Sequence, residues 1–198
     1  MSERLTESPE LLRLGIDMDG VVADFNAGWI ERYNRDFDAA LHPDHVVGWD
    51  ELHRSTGFDT MEAFWAWARG DGRSVFRDLP PIPGALETLR DLATRHRIVI
   101  ITARFDWAIG DTLAWLSDQG VIAREVHFQA AKYRIPCDIY LDDSPYQIEA
   151  LARERPDSVV CRQVTAWNRP LPGVVDVHGW DEFRRVVAGR EPAGTSGS

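Results

Sequence analysis

The chain has 198 residues, 44% of them hydrophobic, and a formal net charge of −10. That length suits one domain with an insertion and a sizeable core, the acidic balance argues against a broad electrostatic footprint on nucleic acid, and no apolar run is long enough to span a bilayer. The polar opening MSERLTESPE is not a secretory signal, and Cys137 and Cys161, far apart in apolar contexts, read as buried free thiols of a cytoplasmic protein.

Residues 1–10 read as a flexible lead-in. The segment LLRLGIDMDGVVAD, from Leu11 to Asp24, then carries an apolar run that predicts a buried strand over about 12–17. The run ends in Asp17 and Asp19, followed at once by Gly20 and later by Asp24. Alternation along an extended segment puts Asp17 and Asp19 on one face. Like charges that close are unfavourable without a cation or a shared proton. Gly20 lets the backbone turn sharply and approach a ligand. The arrangement reads as a nucleophile or metal ligand at the carboxyl end of a strand, whereas Asp24 serves equally well to orient the following loop.

Phe25, Trp29 and Tyr33 recur at helical spacing and predict a helix over 25–37. From residue 38 to 78 the text changes. It holds His42, His45 and His53 among scattered acids, and the aromatics Trp49, Phe58, Phe64, Trp65, Trp67 and Phe76. MEAFWAWAR, from Met61, predicts a short helix in which Trp65 and Trp67 point to different sides. We read residues 26–79 as a small inserted helical cap. His42 and His45 flanking Asp44 read as a polar loop.

Pro80, Pro81 and Pro83 punctuate the return. A helix over 84–96, the strand of IVIITAR from Ile98, and a helix over 106–119 stopped by Gly120 follow. Strands are predicted at 125–128 and 137–141, the second ending in Asp142-Asp143. Ser144 as N-cap and Pro145 at the first helical position open a helix over 145–155. Weaker strands at 158–161 and 174–177, a last helix over 180–188 and a disordered tail over 189–198 complete the chain. Strands alternating with helices predict an α/β, Rossmann-like parallel sheet with helices on both faces.

Four pieces therefore stand in order: Asp17-Met18-Asp19-Gly20, Thr102 after an apolar run, Lys132, and Asp142-Asp143 after another apolar run. Three lie at the carboxyl end of a strand, and in a parallel sheet those ends share one edge. As a set they resemble the haloacid dehalogenase superfamily in its phosphatase branch. The string DMDGVVADF followed by a helical cap is most similar to the 5'(3')-deoxyribonucleotidase-like group.

The resemblance implies a core of residues 1–25 and 80–188 and a Mg²⁺-dependent phosphomonoesterase acting on a nucleotide or a similar small phosphorylated metabolite. It implies Asp17 as nucleophile and Asp19 as acid and base, with metal held by Asp17, the Asp19 carbonyl and Asp142, and Asp143 close by. Thr102, with Ala103 and Arg104 beside it, would meet the phosphate, and Lys132 would hold the charge of nucleophile and phosphate together. The cap would cover the site and offer Trp49 and Trp65, among its aromatics, to a base.

Arg104 departs from the deoxyribonucleotidase pattern, in which a second small hydroxyl residue follows the threonine. Its guanidinium could grip a phosphate, or be solvated at a helix start. The TAR string also resembles the 3'-phosphatase domains of phage polynucleotide kinases. A 3'-phosphatase on nucleic-acid ends, a phosphomutase and a catalytically silent binding protein are the alternatives. Oligomeric state is open.

Overall fold

The computed structural model describes residues 11–46 and 51–191. The expected flexible lead-in at 1–10, residues 192–198 of the tail expected to be disordered over 189–198, and Trp49 as a substrate contact lie outside the described residues; residues 189–191 of that tail are instead held in place, Glu191 by Arg95 and His96. Six parallel strands form one sheet in the order β3-β2-β1-β4-β5-β6. They are β1 (Arg13–Ile16), β2 (Arg97–Thr102), β3 (Glu125–Phe128), β4 (Ile139–Asp142), β5 (Val159–Gln163) and β6 (Val175–Val177). Both weaker strands expected from the sequence are present, each docked on the edge that β4 begins.

The near-continuous apolar strands are explained by burial on both faces. Alternate residues fall into two separate cores. Leu14, Ile16, Ile98, Ile100, Ile139 and Leu141 join one, and Val99, Ile101, Tyr140 and Val160 join the other. The first is covered by α1 (Phe25–Phe37), α3 (Ala85–Leu92), α4 (Ile109–Asp118) and α6 (Trp180–Ala188), through Trp29, Leu89, Trp115 and Phe183. The second is covered by α5 (Pro145–Glu154), through Ile148 and Leu151. Each fully buried side chain of this size contributes roughly 1.5–3 kcal/mol. Gly15 faces the second core, where a Cβ would sit 2.8 Å from the Tyr140 ring, so a glycine fits there and a larger residue does not. Cys137 and Cys161 are free, lie in different cores, and burial pushes both thiols up to about 12.

Between β1 and β2 the described chain is helical. Asp24 caps α1 by accepting from the Ala27 amide at 3.0 Å, and Thr60 caps α2 (Met61–Arg69) by accepting from Ala63 at 3.1 Å. Ser144 does occupy the N-cap of α5, but no side-chain capping bond accompanies it; its amide instead donates to Asp142 Oδ1. The helical segment is pinned where it starts and ends. The Asp24 amide donates to the Pro80 carbonyl and the Ile82 amide to the Val22 carbonyl, both at 2.8 Å, around an antiparallel bridge between Ala23 and Pro81. The two buried indoles of Trp115 and Trp180 donate to the Leu79 and Val21 carbonyls at the same place.

As the i, i+2 spacing requires, Trp65 and Trp67 diverge. Trp65 stacks on Phe25 and meets Phe105 and Trp107 of the sheet domain. Trp67 packs on Tyr33, Phe37 and Phe58, and its indole donates to Asp36. His42 and Asp44 form an exposed polar turn. Among the described residues, no helix is long and apolar enough to cross a membrane.

Candidate active site

The strand order reverses between β1 and β4, and a parallel sheet opens a crevice at the carboxyl ends of such a pair. Asp17 follows β1, and its amide still donates to the Leu141 carbonyl, so it sits beside the end of β4. Asp142 is the last residue of β4 and Asp143 follows it. The carboxylates of Asp17, Asp142 and Asp143 each offer an oxygen within 4.8 Å of the others, and all three are buried. Hydrophobic burial alone would not place three acids here; the sheet topology does.

One cation sits among them. Lys132, only 4% exposed on the short 3-10 turn Lys132–Arg134, places Nζ 2.7 Å from Asp17 Oδ1 and 2.6 Å from Asp142 Oδ2. Burial alone would lower its pKa, but Asp142 and Asp17 outweigh that and raise it, so it stays charged. One ammonium cannot neutralise three carboxylates. Desolvation, then the neighbouring acids, push Asp17 up to about 7 against the pull of Lys132. Asp143 is raised for the same reasons. A hard cation that accepts oxygen ligands would relieve this excess, and the donor set is all oxygen.

After Asp17 the chain does not continue extended. The Met18 carbonyl accepts from the amides of Val22 and Ala23 at 2.9 and 2.8 Å, winding the segment into a tight loop with Gly20 at φ +77°. Asp17 and Asp19 therefore reach the same cleft from a loop, where an extended strand was expected. A Cβ on Gly20 would run into the Asp143 carboxylate. Gly20→Ala is expected to lower the melting temperature by the strain of a left-handed alanine, about 1 kcal/mol. If the trio holds a metal ion, displacing Asp143 is also expected to weaken its binding, measured as the metal concentration that half-saturates a thermal shift.

The cleft has a volume of about 580 Å³. Thr102, the last residue of β2, Ala103 and Arg104 line it beside Asp19 and Lys132. Arg104 does not stand in solvent: its Nε and Nη2 donate to the two oxygens of Asp19 at 2.9 and 2.6 Å. Phe25, Trp65, Phe76 and Phe105 give the cleft an aromatic wall.

Several residues on this site escaped the sequence reading. Tyr146, at the start of α5, and Trp167, in the loop after β5, line the cleft and remain exposed. The Trp167 indole donates to Asp143 Oδ2 at 3.3 Å. Asn168 beneath it donates to the Asp143 and Gln163 carbonyls, both at 2.8 Å, and accepts from buried Arg162 at 2.6 Å. Trp167 and Asn168 thus hold Asp143 in place. Nothing in their local spacing marks Trp167 and Asn168, because the loop after β5 reaches the site through the pairing of β5 with β4.

Comparison with known proteins agrees with this architecture. The chain is 26% identical over 183 residues to a Halalkalibacterium halodurans protein provisionally named a nucleotidase, covering 88% of this chain and 92% of that one. It is also 26% identical over 216 residues to the mitochondrial 5'(3')-deoxyribonucleotidase of Homo sapiens, covering 91% of this chain and 84% of that one. The solved L-2-haloacid dehalogenase of Xanthobacter autotrophicus shares the fold at a TM-score of 0.63 and 11% identity, over 91% of this chain and 99% of that one. A family model described as 5' nucleotidase, deoxy (pyrimidine), cytosolic type C protein matches residues 11–191. The chain therefore belongs to that nucleotidase family, and it has the fold of the haloacid dehalogenases.

Proposed function

We propose that this protein is a Mg²⁺-dependent phosphomonoesterase that hydrolyses deoxyribonucleoside monophosphates through an aspartyl-phosphate on Asp17. The observation that carries the reading is the buried trio Asp17, Asp142 and Asp143 gathered around Lys132 at the switch point of the sheet. Family membership supports a nucleotide substrate, as do the relatives named 5'(3')-deoxyribonucleotidases. The volume of the cleft suits a ligand of that size, and its aromatic wall suits a stacked base. The helical segment between β1 and β2 serves as the cap that supplies Phe25, Trp65 and Phe76 to this wall.

Asp17, Asp142 and Asp143 would hold the ion, which supplies charge neutralisation of the phosphate when bound. Asp17 attacks phosphorus: its carboxylate oxygen forms the new bond while the bond to the ester oxygen breaks. Lys132, fixed by Asp17 and Asp142, orients the nucleophile and offsets the phosphate charge. Thr102 donates to a phosphate oxygen. Asp19 gives its proton to the departing ester oxygen. It then takes a proton from water, whose oxygen attacks phosphorus and releases Asp17 and inorganic phosphate.

A metal titration tests the reading. Asp17 holds its proton from its ordinary 3.8 up to about 7 in the metal-free protein, so the stability it contributes is present at low pH and lost as pH rises through that window. Metal binding needs the carboxylate ionised, so the gain runs the other way. Saturating Mg²⁺ at about 100 times its dissociation constant is expected to add about 2.7 kcal/mol, or roughly 5–10 °C, above pH 7. At pH 5 the gain is expected to shrink strongly. In the same preparation, phosphate release from deoxyribonucleoside monophosphates should require Mg²⁺ and stop with a chelator. Equal thermal shifts at both pH values, or turnover indifferent to chelation, would count against the proposed site.

A further inference from the structure

We propose that Arg104 is a positioning residue: it holds the Asp19 carboxylate in place for proton transfer and is not a ligand of the phosphate. The inference rests on the role proposed above for Asp19. Arg104 is the second residue of the loop after β2, and Asp19 lies in the loop after β1, so the adjacency of these two strands brings together residues far apart in the chain. Each of the three guanidinium nitrogens donates a hydrogen bond. Nε and Nη2 form a two-pronged pair with both oxygens of Asp19. Nη1 donates at 3.0 Å to the Thr112 hydroxyl, which itself donates at 2.7 Å to the Ala108 carbonyl. The ring of Phe76, from the helical segment, lies against the guanidinium with its centroid 4.3 Å from Cζ.

The side chain of Arg104 is 1% exposed, against 29% for Asp19. That asymmetry separates the two roles. A phosphate ligand must present donors to the cleft. This fork instead faces a carboxylate and leaves the carboxylate exposed to the cleft. Planar, two-point pairing fixes both the position and the rotation of the carboxylate, which a single ammonium cannot do. It thus fixes which way the acid faces the departing oxygen, and mispositioning of a catalytic group by about an ångström can cost roughly 100-fold. Phe76 ties this positioning to the segment that forms the aromatic wall, so the fork and the wall share one support.

The experiment compares Arg104→Lys with the wild-type full chain in Mg²⁺. Two substrates are used: a deoxyribonucleoside monophosphate, whose alkoxide leaving group needs a proton, and p-nitrophenyl phosphate, whose leaving group departs as the anion. Inhibition by inorganic phosphate is measured alongside. Positioning predicts that kcat/KM for the nucleotide falls about 10- to 100-fold, that the aryl phosphate is much less affected, and that inhibition by phosphate is unchanged. In an Asp19→Asn background, Arg104→Lys is expected to add no further loss, because it acts through Asp19.

A parallel fall for both substrates with weakened phosphate inhibition would overturn the proposal in favour of a phosphate ligand. A parallel fall with normal inhibition, or an additive loss in the Asp19→Asn background, would reduce Arg104 to a structural residue. Should Arg104→Lys fail to fold, Thr112→Val removes only the outer strut, and a smaller fall in the nucleotide-to-aryl ratio is expected; an unchanged ratio overturns the proposal. The parent reading is tested separately. Turnover by Asp17→Asn would remove the mechanism itself, whereas a silent Asp17→Asn beside an unaltered ratio in Arg104→Lys would remove only this assignment.

Discussion

The Asp17→Asn protein is expected to fold and to release no phosphate, a loss of at least about 10⁴-fold in kcat for a missing nucleophile. The substitution keeps the shape of the side chain and the amide that donates to the Leu141 carbonyl. It removes one of three buried negative charges served by one lysine. Burial and the neighbouring acids already penalise the ionised form of Asp17, so asparagine should leave the metal-free melting temperature unchanged or higher above pH 7. Loss of activity with gain of metal-free stability is a combination that general misfolding cannot produce. Kinetics with Mg²⁺ and a thermal melt without it check both halves. An Asp17→Asn enzyme that still turns over with the same metal dependence would end the aspartyl-phosphate mechanism.

Lys132→Met carries the second large effect, and it points the other way in stability. Methionine keeps most of the apolar stem and discards the charge. It strands Asp17 and Asp142, each within 2.7 Å of the lost ammonium, with Asp143 as a third buried acid. Removing one partner from a buried ionic cluster costs about 3–5 kcal/mol, or roughly 6–20 °C for a chain of this size. Because the deficit is electrostatic, Mg²⁺ should restore more stability to Lys132→Met than it adds to the wild type. Activity is expected to fall about 10²- to 10³-fold even when the metal has restored the fold, since the charge proposed to face the reacting phosphate is missing. Equal metal-free melting temperatures for the two proteins would show that the lysine does not balance the acids.

The carboxylates were legible because they break a rule. An apolar strand has no packing reason to end in acids, and it does so twice, at Asp17 and at Asp142-Asp143. The alternation of strands and helices then supplied the shared edge that joins them, as the parallel sheet shows. Lys132 was legible only through its place in a family pattern, because its own neighbours, AAKYR, describe an ordinary surface turn. What sequence spacing could not supply was pairing at long range. The partner of Arg104 is Asp19, 85 residues away, and the support for Asp143 comes from Trp167 and Asn168 across 24 and 25 residues. Such contacts depend on which strands become neighbours and on where each loop bends afterwards. The loop that winds around the Met18 carbonyl shows the same limit: period-2 alternation placed Asp17 and Asp19 in the same cleft for the wrong geometric reason.

The pinned base of the helical segment has a consequence for how such a protein diversifies. The chain leaves the sheet at Ala23 and rejoins it at Pro81, and the two points are hydrogen-bonded neighbours. The entropy of closing an excursion depends only weakly on its length once its ends are held together. Insertions, deletions or wholesale exchange between those two points therefore leave the spacing of Asp17, Lys132 and Asp142 untouched. Apart from Phe76, whose ring lies against Arg104, the proposed chemistry and recognition become separate hereditary targets. One is confined to a few positions on a rigid sheet edge, and the other is free to be rewritten by grafting at a single seam.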